Sequence, residues 1–174
     1  MVTREPHVHE PRGHRRRGAP AQVQVSSLAG YLEVMSKAVF QTGMSWEIVE
    51  KKWSGTLAAF HNFEPEIVAN LPPWDVDKLA EDTRIIRNRR KIEAVIENAT
   101  TMIELDIAHG GFRNYLRSHA GYDVLEKDLR KRFRFLGDMG IFTFLYIVGE
   151  QVPDWEEWCV SHGRGHMVPH DHDH

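Results

Sequence analysis

The chain has 174 residues, 41% of them hydrophobic and 27% charged, with 22 Lys and Arg against 25 Asp and Glu. That is enough apolar material for one buried core, and a net charge of -3 excludes a protein that holds nucleic acid simply as a polycation. The single cysteine, Cys159, excludes an internal disulfide and a thiolate cluster and predicts a reducing, cytoplasmic setting, while the lack of any run of roughly 18 to 20 apolar residues predicts no membrane partner.

Residues 1–25 are dominated by Pro, Arg, His, Gly and Glu and predict a disordered tail, because too few apolar side chains are present to offset the entropy of ordering it. A helical domain is expected over 26–161. Ser27 predicts an N-cap, after which Leu28, Tyr31, Leu32, Met35 and Val39 follow the spacing of one helical face. Gly43 ends that run. Ser45 predicts the cap of a second helix with the stripe Trp46, Val49, Trp53, Leu57 and Phe60. On spacing alone Trp46 begins a core stripe; a Trp placed outward at the corner between two helices is the other reading.

Shorter helices are predicted at 65–71 and 75–81, on either side of the break at Pro72 and Pro73. A long helix starts near Lys91 and runs through Ile92, Val95, Ile96, Ala99 and Ile103 to the stop "HGG" at 109–111. Further helical segments are expected at 112–119, 123–132, 139–148 and 154–161. No stretch alternates with period two, so the predicted fold class is all-α. Residues 162–174 return to the composition of the N-terminus and carry five of the eleven histidines, which predicts a second disordered tail. Its imidazoles would hold a transition metal only weakly, without fixed geometry.

Two basic clusters interrupt the helices: "RIIRNRRK" at 84–91 and "KDLRKRFR" at 127–134, each with five cations in eight residues. A solvated charged face is the plain reading of such runs. The second cluster, however, leads directly into "FLGDMGIFTFLYIVG" at 135–149, where Gly137 and Gly140 predict a tight turn before an apolar helix. Backbone N–H groups at that helix's start would suit a phosphate. Arg130 and Lys131 before the turn, with Arg87 and Arg89 of the first cluster, are the candidate cations for a DNA backbone.

The segments "FQTGMSWEIVEKKW" (40–53), "FHNFEPEIVANL" (60–71), "DVDKLAEDTRIIRNRRKIEAVIENA" (75–99) and "LRKRFRFLGDMGIFTFLYIVGEQVPDWEEWC" (129–159) resemble the DNA-3-methyladenine glycosylase I family, a branch of the helix-hairpin-helix DNA glycosylases. The resemblance implies a helix-hairpin-helix glycosylase-like helical domain. It also implies that double-stranded DNA containing a damaged base is the partner, and that no cofactor takes part. The implied activity, which starts base excision repair, hydrolyses the N-glycosidic bond of alkylated purines such as 3-methyladenine after base flipping. In that reading Trp46 stacks on the flipped base, Gln41 faces its edge and Gly43 lets the backbone turn.

Departures from the family pattern accompany the match. The family's base-reading glutamate falls on Ala38, and nothing in residues 1–25 matches the N-terminal segment that supplies a pocket tyrosine. Of the family's zinc ligands only Cys159 is matched, with Trp155 in place of a His, so no metal site is expected. The stretch 106–128 is shorter than in the family and lacks its serine-rich segment. Asp154 occupies a place comparable to the aspartate that other helix-hairpin-helix glycosylases use for catalysis, and a helix N-cap is its alternative role. Two further readings therefore stand beside the glycosylase: a noncatalytic DNA-binding module on the same fold, and a helical protein-interaction domain.

Overall fold

The computed structural model describes residues 19–168, and every regular element among them is helical. Residues 22–152 form one compact unit, and the described residues from Pro153 onward belong to another. No helix of the described residues is long and apolar enough to cross a membrane.

The larger unit is built around its longest helix. Helix α1 (Leu28–Gln41) starts at Ser27, whose side chain accepts from the Gly30 N–H, and buries Leu32, Met35 and Val39 along one face as the spacing predicts. Two short helices follow, α2 (Trp46–Lys51) and α3 (Trp53–Ala59), where the sequence predicts one. The break at Lys52 has a local cause: the Thr56 hydroxyl donates to the Lys52 carbonyl at 2.7 Å, and such back-bonding bends a helix. The Lys52 ammonium then reaches the Thr83 carbonyl at 2.9 Å and ties this bend to the chain beyond.

His61, Asn62 and Phe63 all lie in the left-handed region, with φ of 53°, 57° and 55°. For residues with a Cβ this costs about 1–2 kcal/mol each. The turn places Phe63, fully buried, in a stack with Phe60 at 5.2 Å and Trp53 at 5.5 Å between ring centroids, and that burial offsets the strain. Helices α4 (Pro65–Ala69) and α5 (Pro73–Glu81) each begin with a proline, where its missing N–H is harmless.

Helix α6 (Arg89–His109) begins after Asn88, whose side chain accepts from the Lys91 N–H, and ends at Gly110 with φ 66°. Its Ile92, Val95, Ala99 and Met102 are fully buried. Helices α1, α4, α5 and α7 (Phe112–Leu116) pack on it. Helix α8 (Tyr122–Arg132) and helix α9 (Asp138–Ile147) pack together and are joined by residues 133–137, and α9 buries Ile141, Phe144 and Leu145 while packing on α1.

Packed chain begins before residue 26. The Val23 N–H donates to the Ile147 carbonyl at 2.9 Å, Gln22 donates to the Tyr146 carbonyl, Val25 is buried and Arg113 donates to its carbonyl. Apolar Val23 and Val25 distinguish this stretch from the polar composition ahead of it. The remainder of the N-terminal tail, residues 1–18, lies outside the described residues, as do residues 169–174 of the C-terminal one.

In the C-terminal unit, helix α10 (Trp155–Ser161) is capped by Asp154 and carries a ladder of rings, with Trp155 on Trp158 at 5.5 Å and Trp158 on His162 at 4.3 Å. A short 3-10 turn, Gly165–Met167, follows within the stretch expected as tail.

Candidate nucleic-acid interface

The corner between α1 and α2 is a fixed structure rather than a loose loop. At the end of α1 the Thr42 hydroxyl donates to the Ala38 carbonyl at 3.1 Å, and the Met44 N–H donates to the Gln41 carbonyl at 3.0 Å. Gly43 makes the turn with φ 71°, a conformation that favours glycine. Lys91 of α6, only 4% exposed, reaches this corner from beneath and donates to the carbonyls of Phe40 at 3.1 Å and Thr42 at 2.5 Å. Burial holds its ammonium below the usual lysine range.

Above that turn Trp46 is 62% exposed, with Met44 and Ile48 also exposed beside it in sequence. The core contact of α2 is Val49 alone. Trp46 therefore does not begin a core stripe, because the corner turns the first residue of α2 outward. Ser45 precedes the helix without any capping bond from its hydroxyl. Gln41 is half-buried at the base of the corner. Ala38, one turn earlier, is 6% exposed and faces α9, where a Cβ built on Gly140 would lie 3.9 Å from its own.

The turn at 133–137 differs from the two-glycine turn expected. Gly140 lies inside α9, and a Cβ there would meet Leu136 Cδ1 at 3.3 Å, so this glycine lets α9 pack closely rather than shaping the turn. The left-handed residue is Phe135, with φ 54° and its side chain 39% exposed. Phe133 and Leu136 are buried on either side of it. Arg134 between them is gripped by Asn98 of α6: its N–H donates to Asn98 Oδ1 at 2.8 Å and its carbonyl accepts from Asn98 Nδ2 at 3.1 Å.

Gly137 is the N-cap of α9, with φ -85° that any residue adopts and no atom within 4 Å of an added Cβ. Nothing inside the protein requires a glycine there. One N–H of the first turn is already engaged, since Met139 donates to Asp138 Oδ1 at 2.7 Å.

The cations near this turn are unequal. Arg130 pairs with Glu126, Arg132 with Asp128 and Arg134 with Glu97, whereas Lys131 forms no ion pair among the described residues. In the first cluster Arg89 pairs with Asp77 and Arg84 with Asp82, and the Arg84 guanidinium holds the Asp82 carboxyl below the usual carboxylate range. Arg87 is exposed without an ion pair among the described residues, and Lys91 is turned inward, so the cluster presents fewer free charges than its sequence suggests.

Asp154 sits in the C-terminal unit, where its Oδ2 accepts from the N–H groups of Glu156 and Glu157 at 3.1 and 3.4 Å. These bonds fit the capping role, and they leave Oδ1 outside the cap. Cys159, the one thiol of α10, is buried and unbridged.

Residues 23–134 match the model of the methyladenine glycosylase family. The chain belongs to that family. Among its relatives, the DNA-3-methyladenine glycosylase 1 of Escherichia coli (strain K12) is 32% identical over 130 residues, covering 63% of this chain and 70% of that protein. The DNA-3-methyladenine glycosylase of Haemophilus influenzae is 28% identical over the same length and coverage. The structure of 3-methyladenine DNA glycosylase I from Staphylococcus aureus, which addresses 3-methyladenine recognition, superposes with a TM-score of 0.66 at 26% identity, covering 74% of this chain and 80% of that one. The all-α methyladenine glycosylase fold is thus shared.

Within the family frame, the sequence brings Gln41, Gly43 and Trp46 together at one corner and Ala38 beneath it against Gly140. The residues missed from sequence are the two clamps, Lys91 and Asn98. Both sit in the string "IIRNRRKIEAVIENA", where a polar residue in register with Ile92, Val95 and Ala99 is the one signal they offer.

Proposed function

We propose that the chain is a DNA glycosylase of base excision repair that hydrolyses the N-glycosidic bond of alkylated purines such as 3-methyladenine, flipped from double-stranded DNA. The observation that carries this reading is the outward Trp46 on a corner braced from below, in a member of the methyladenine glycosylase family. A flipped base loses a few kcal/mol of pairing and stacking, and an aromatic face recovers about 1–3 kcal/mol of it. In DNA the N3-methylated adenine carries a positive charge, so the indole adds an attraction of about 0.5–2 kcal/mol that undamaged adenine does not feel. Gln41 meets the base edge.

The charge also eases the chemistry. When the C1′–N9 bond breaks, its electron pair neutralises the base, which leaves without needing a proton. An oxocarbenium ion develops at C1′ and water adds to it, releasing a proton to solvent or to a carboxylate. Asp154 Oδ1 is our candidate for that carboxylate. The Gly137 end of α9 binds a backbone phosphate, and Lys131, Arg130, Arg87 and Arg89 add charge to the DNA contact.

Mass-spectrometric detection of free bases released from methylated DNA tests the reading, with Trp46→Ala as control. Release of 3-methyladenine that falls at least ten-fold in the variant supports it; no release by the wild-type protein refutes it. A second reading, a noncatalytic DNA-binding module, is favoured by one observation: Ala38 offers no acceptor for the base's amino group. Duplex binding without base release is its expected outcome.

A further inference from the structure

The buried face of α6 carries two polar side chains among Ile92, Val95, Ala99 and Met102: Lys91, 4% exposed, and Asn98, 1% exposed. Neither is needed to fill the core, since an apolar side chain of similar size would avoid the desolvation both incur. They are seven residues apart, two helical turns or about 10.5 Å, and so lie on one side of the helix. Each directs its hydrogen bonds at the backbone of a different segment, Lys91 at the end of α1 and Asn98 at the turn before α9. Lys91 holds the carbonyls of Phe40 and Thr42, immediately before the turn to Trp46. Asn98 holds both the N–H and the carbonyl of Arg134.

The second grip has a structural consequence at the next residue. Phe135 is left-handed at φ 54°, a costly conformation for a residue with a Cβ that persists only where its surroundings over-determine it. Three anchors do so here: Phe133 and Leu136 are buried in the core, and Asn98 fixes the peptide groups of Arg134 between them. Without the amide the chain is free to relax Phe135 to negative φ and turn Gly137 away.

We propose that Lys91 and Asn98 are positioning residues that make α6 a spacer between the two halves of the DNA site. Asn98 holds the turn that presents the Gly137 end of α9 to a phosphate, and Lys91 holds the corner that presents Gln41 and Trp46 to the flipped base. The inference rests on the reading of those two segments given above. It explains why two hydrogen-bonding side chains share the buried face of one helix at this separation: one rigid rod sets the distance between base and phosphate.

The full chain tests it with two probes, an oligonucleotide duplex bound over a series of salt concentrations and free 3-methyladenine. Asn98→Ala should weaken duplex binding about ten-fold and leave 3-methyladenine binding within about two-fold, whereas Lys91→Met should do the reverse. A merely structural role would lower both together. Phe135→Gly supplies the second test, because glycine adopts φ 54° without strain: the duplex-binding loss caused by Asn98→Ala should shrink to about two-fold in a Phe135→Gly background. Where Asn98→Ala does not fold, Asn98→Ser, which is too short to hold both groups of Arg134, is read in the same cycle. Equal losses on both probes, or no coupling between positions 98 and 135, overturn the inference while leaving the glycosylase reading standing. Wild-type protein that binds neither probe overturns that reading, and the inference with it.

Discussion

Ala38 stands where the resemblance puts the family's base-reading glutamate, and Ala38→Glu tests whether a pocket lies beside it. Ala38 is 6% exposed, so a glutamate there leaves water, and its neighbour across the helix pair is Gly140, which has no side chain to obstruct it. With no ligand the carboxylate lacks a dedicated donor, a deficit of about 1–3 kcal/mol. For a domain of this size 1 kcal/mol corresponds to about 2–4 °C, so a loss of about 2 kcal/mol lowers Tm by about 4–8 °C. With 3-methyladenine bound, the carboxylate accepts from its amino group, and a hydrogen bond to a charged group contributes about 1.5–3 kcal/mol, at least ten-fold in affinity. Thermal melts in a ligand titration measure both effects. At a ligand concentration 100 times the wild-type Kd, the wild type gains about 2.7 kcal/mol and a variant binding ten-fold tighter gains about 4.1 kcal/mol, an additional rise of about 3–6 °C. The additional rise should disappear when Trp46→Ala is combined with it. A variant that melts lower and gains no more from the ligand than the wild type would refute the reasoning, because position 38 would then face packed protein and not a base.

The two glycines of the α9 segment should separate by assay. Gly137→Ala is expected to leave Tm within about 1 °C, since an added Cβ meets nothing, but to weaken duplex binding by blocking the close approach of a phosphate. Gly140→Val should instead lower stability by about 1–3 kcal/mol in a denaturant melt, because its methyls press on Leu136 and Ala38. Lys131→Ala should flatten the salt dependence of duplex binding by about one unit, and Arg132→Ala, whose guanidinium is already paired with Asp128, by less. Asp128 offers a pH test. Burial raises its pKa, but hydrogen bonds from Tyr115, His119 and Arg132 outweigh that and the net shift is downward. A depressed carboxylate stabilises the fold above its unfolded pKa of about 3.9 and loses that contribution as the pH falls through the lower folded value. Asp128→Asn should therefore be less stable than the wild type at pH 7, and urea melts should show the difference narrowing below about pH 4.

What the sequence disclosed depended on how local the determinants were. Ser27, Pro73 and the glycines after α6 act within a few residues, and the helix boundaries they mark were readable for that reason. The direction of a side chain at a corner is not local. Trp46 fits the spacing of a core stripe, yet the braced turn at Gly43 and the bend at Lys52 rotate α2 so that only Val49 reaches inward. Lys91 reads as one more surface cation in a basic run, and only its register with Ile92 and Val95 gives its burial away. The turn expected at Gly137 and Gly140 lies instead at 133–137, because its left-handed residue is Phe135, which carries no glycine signature, and Gly140 serves packing inside α9. The left-handed run at residues 61–63 has no signature beyond Asn62, because burial of Phe63 and not propensity enforces it.

The strap formed by residues 22–25 bears on the order in which the fold comes apart. It holds the end of α9 opposite the Gly137 turn through two hydrogen bonds, to the carbonyls of Tyr146 and Ile147, and one buried valine, with Arg113 adding a third bond at Val25. So few anchors make it a cheap segment to open. Amide exchange at Val23 should report a sub-global opening well below the free energy that protects α6. A protease that nicks the chain just before residue 22 should leave the fold of residues 22–152 intact, whereas one cutting after Val25 strips the last carbonyls of α9 and loosens from behind the helix whose front end we propose as the phosphate site.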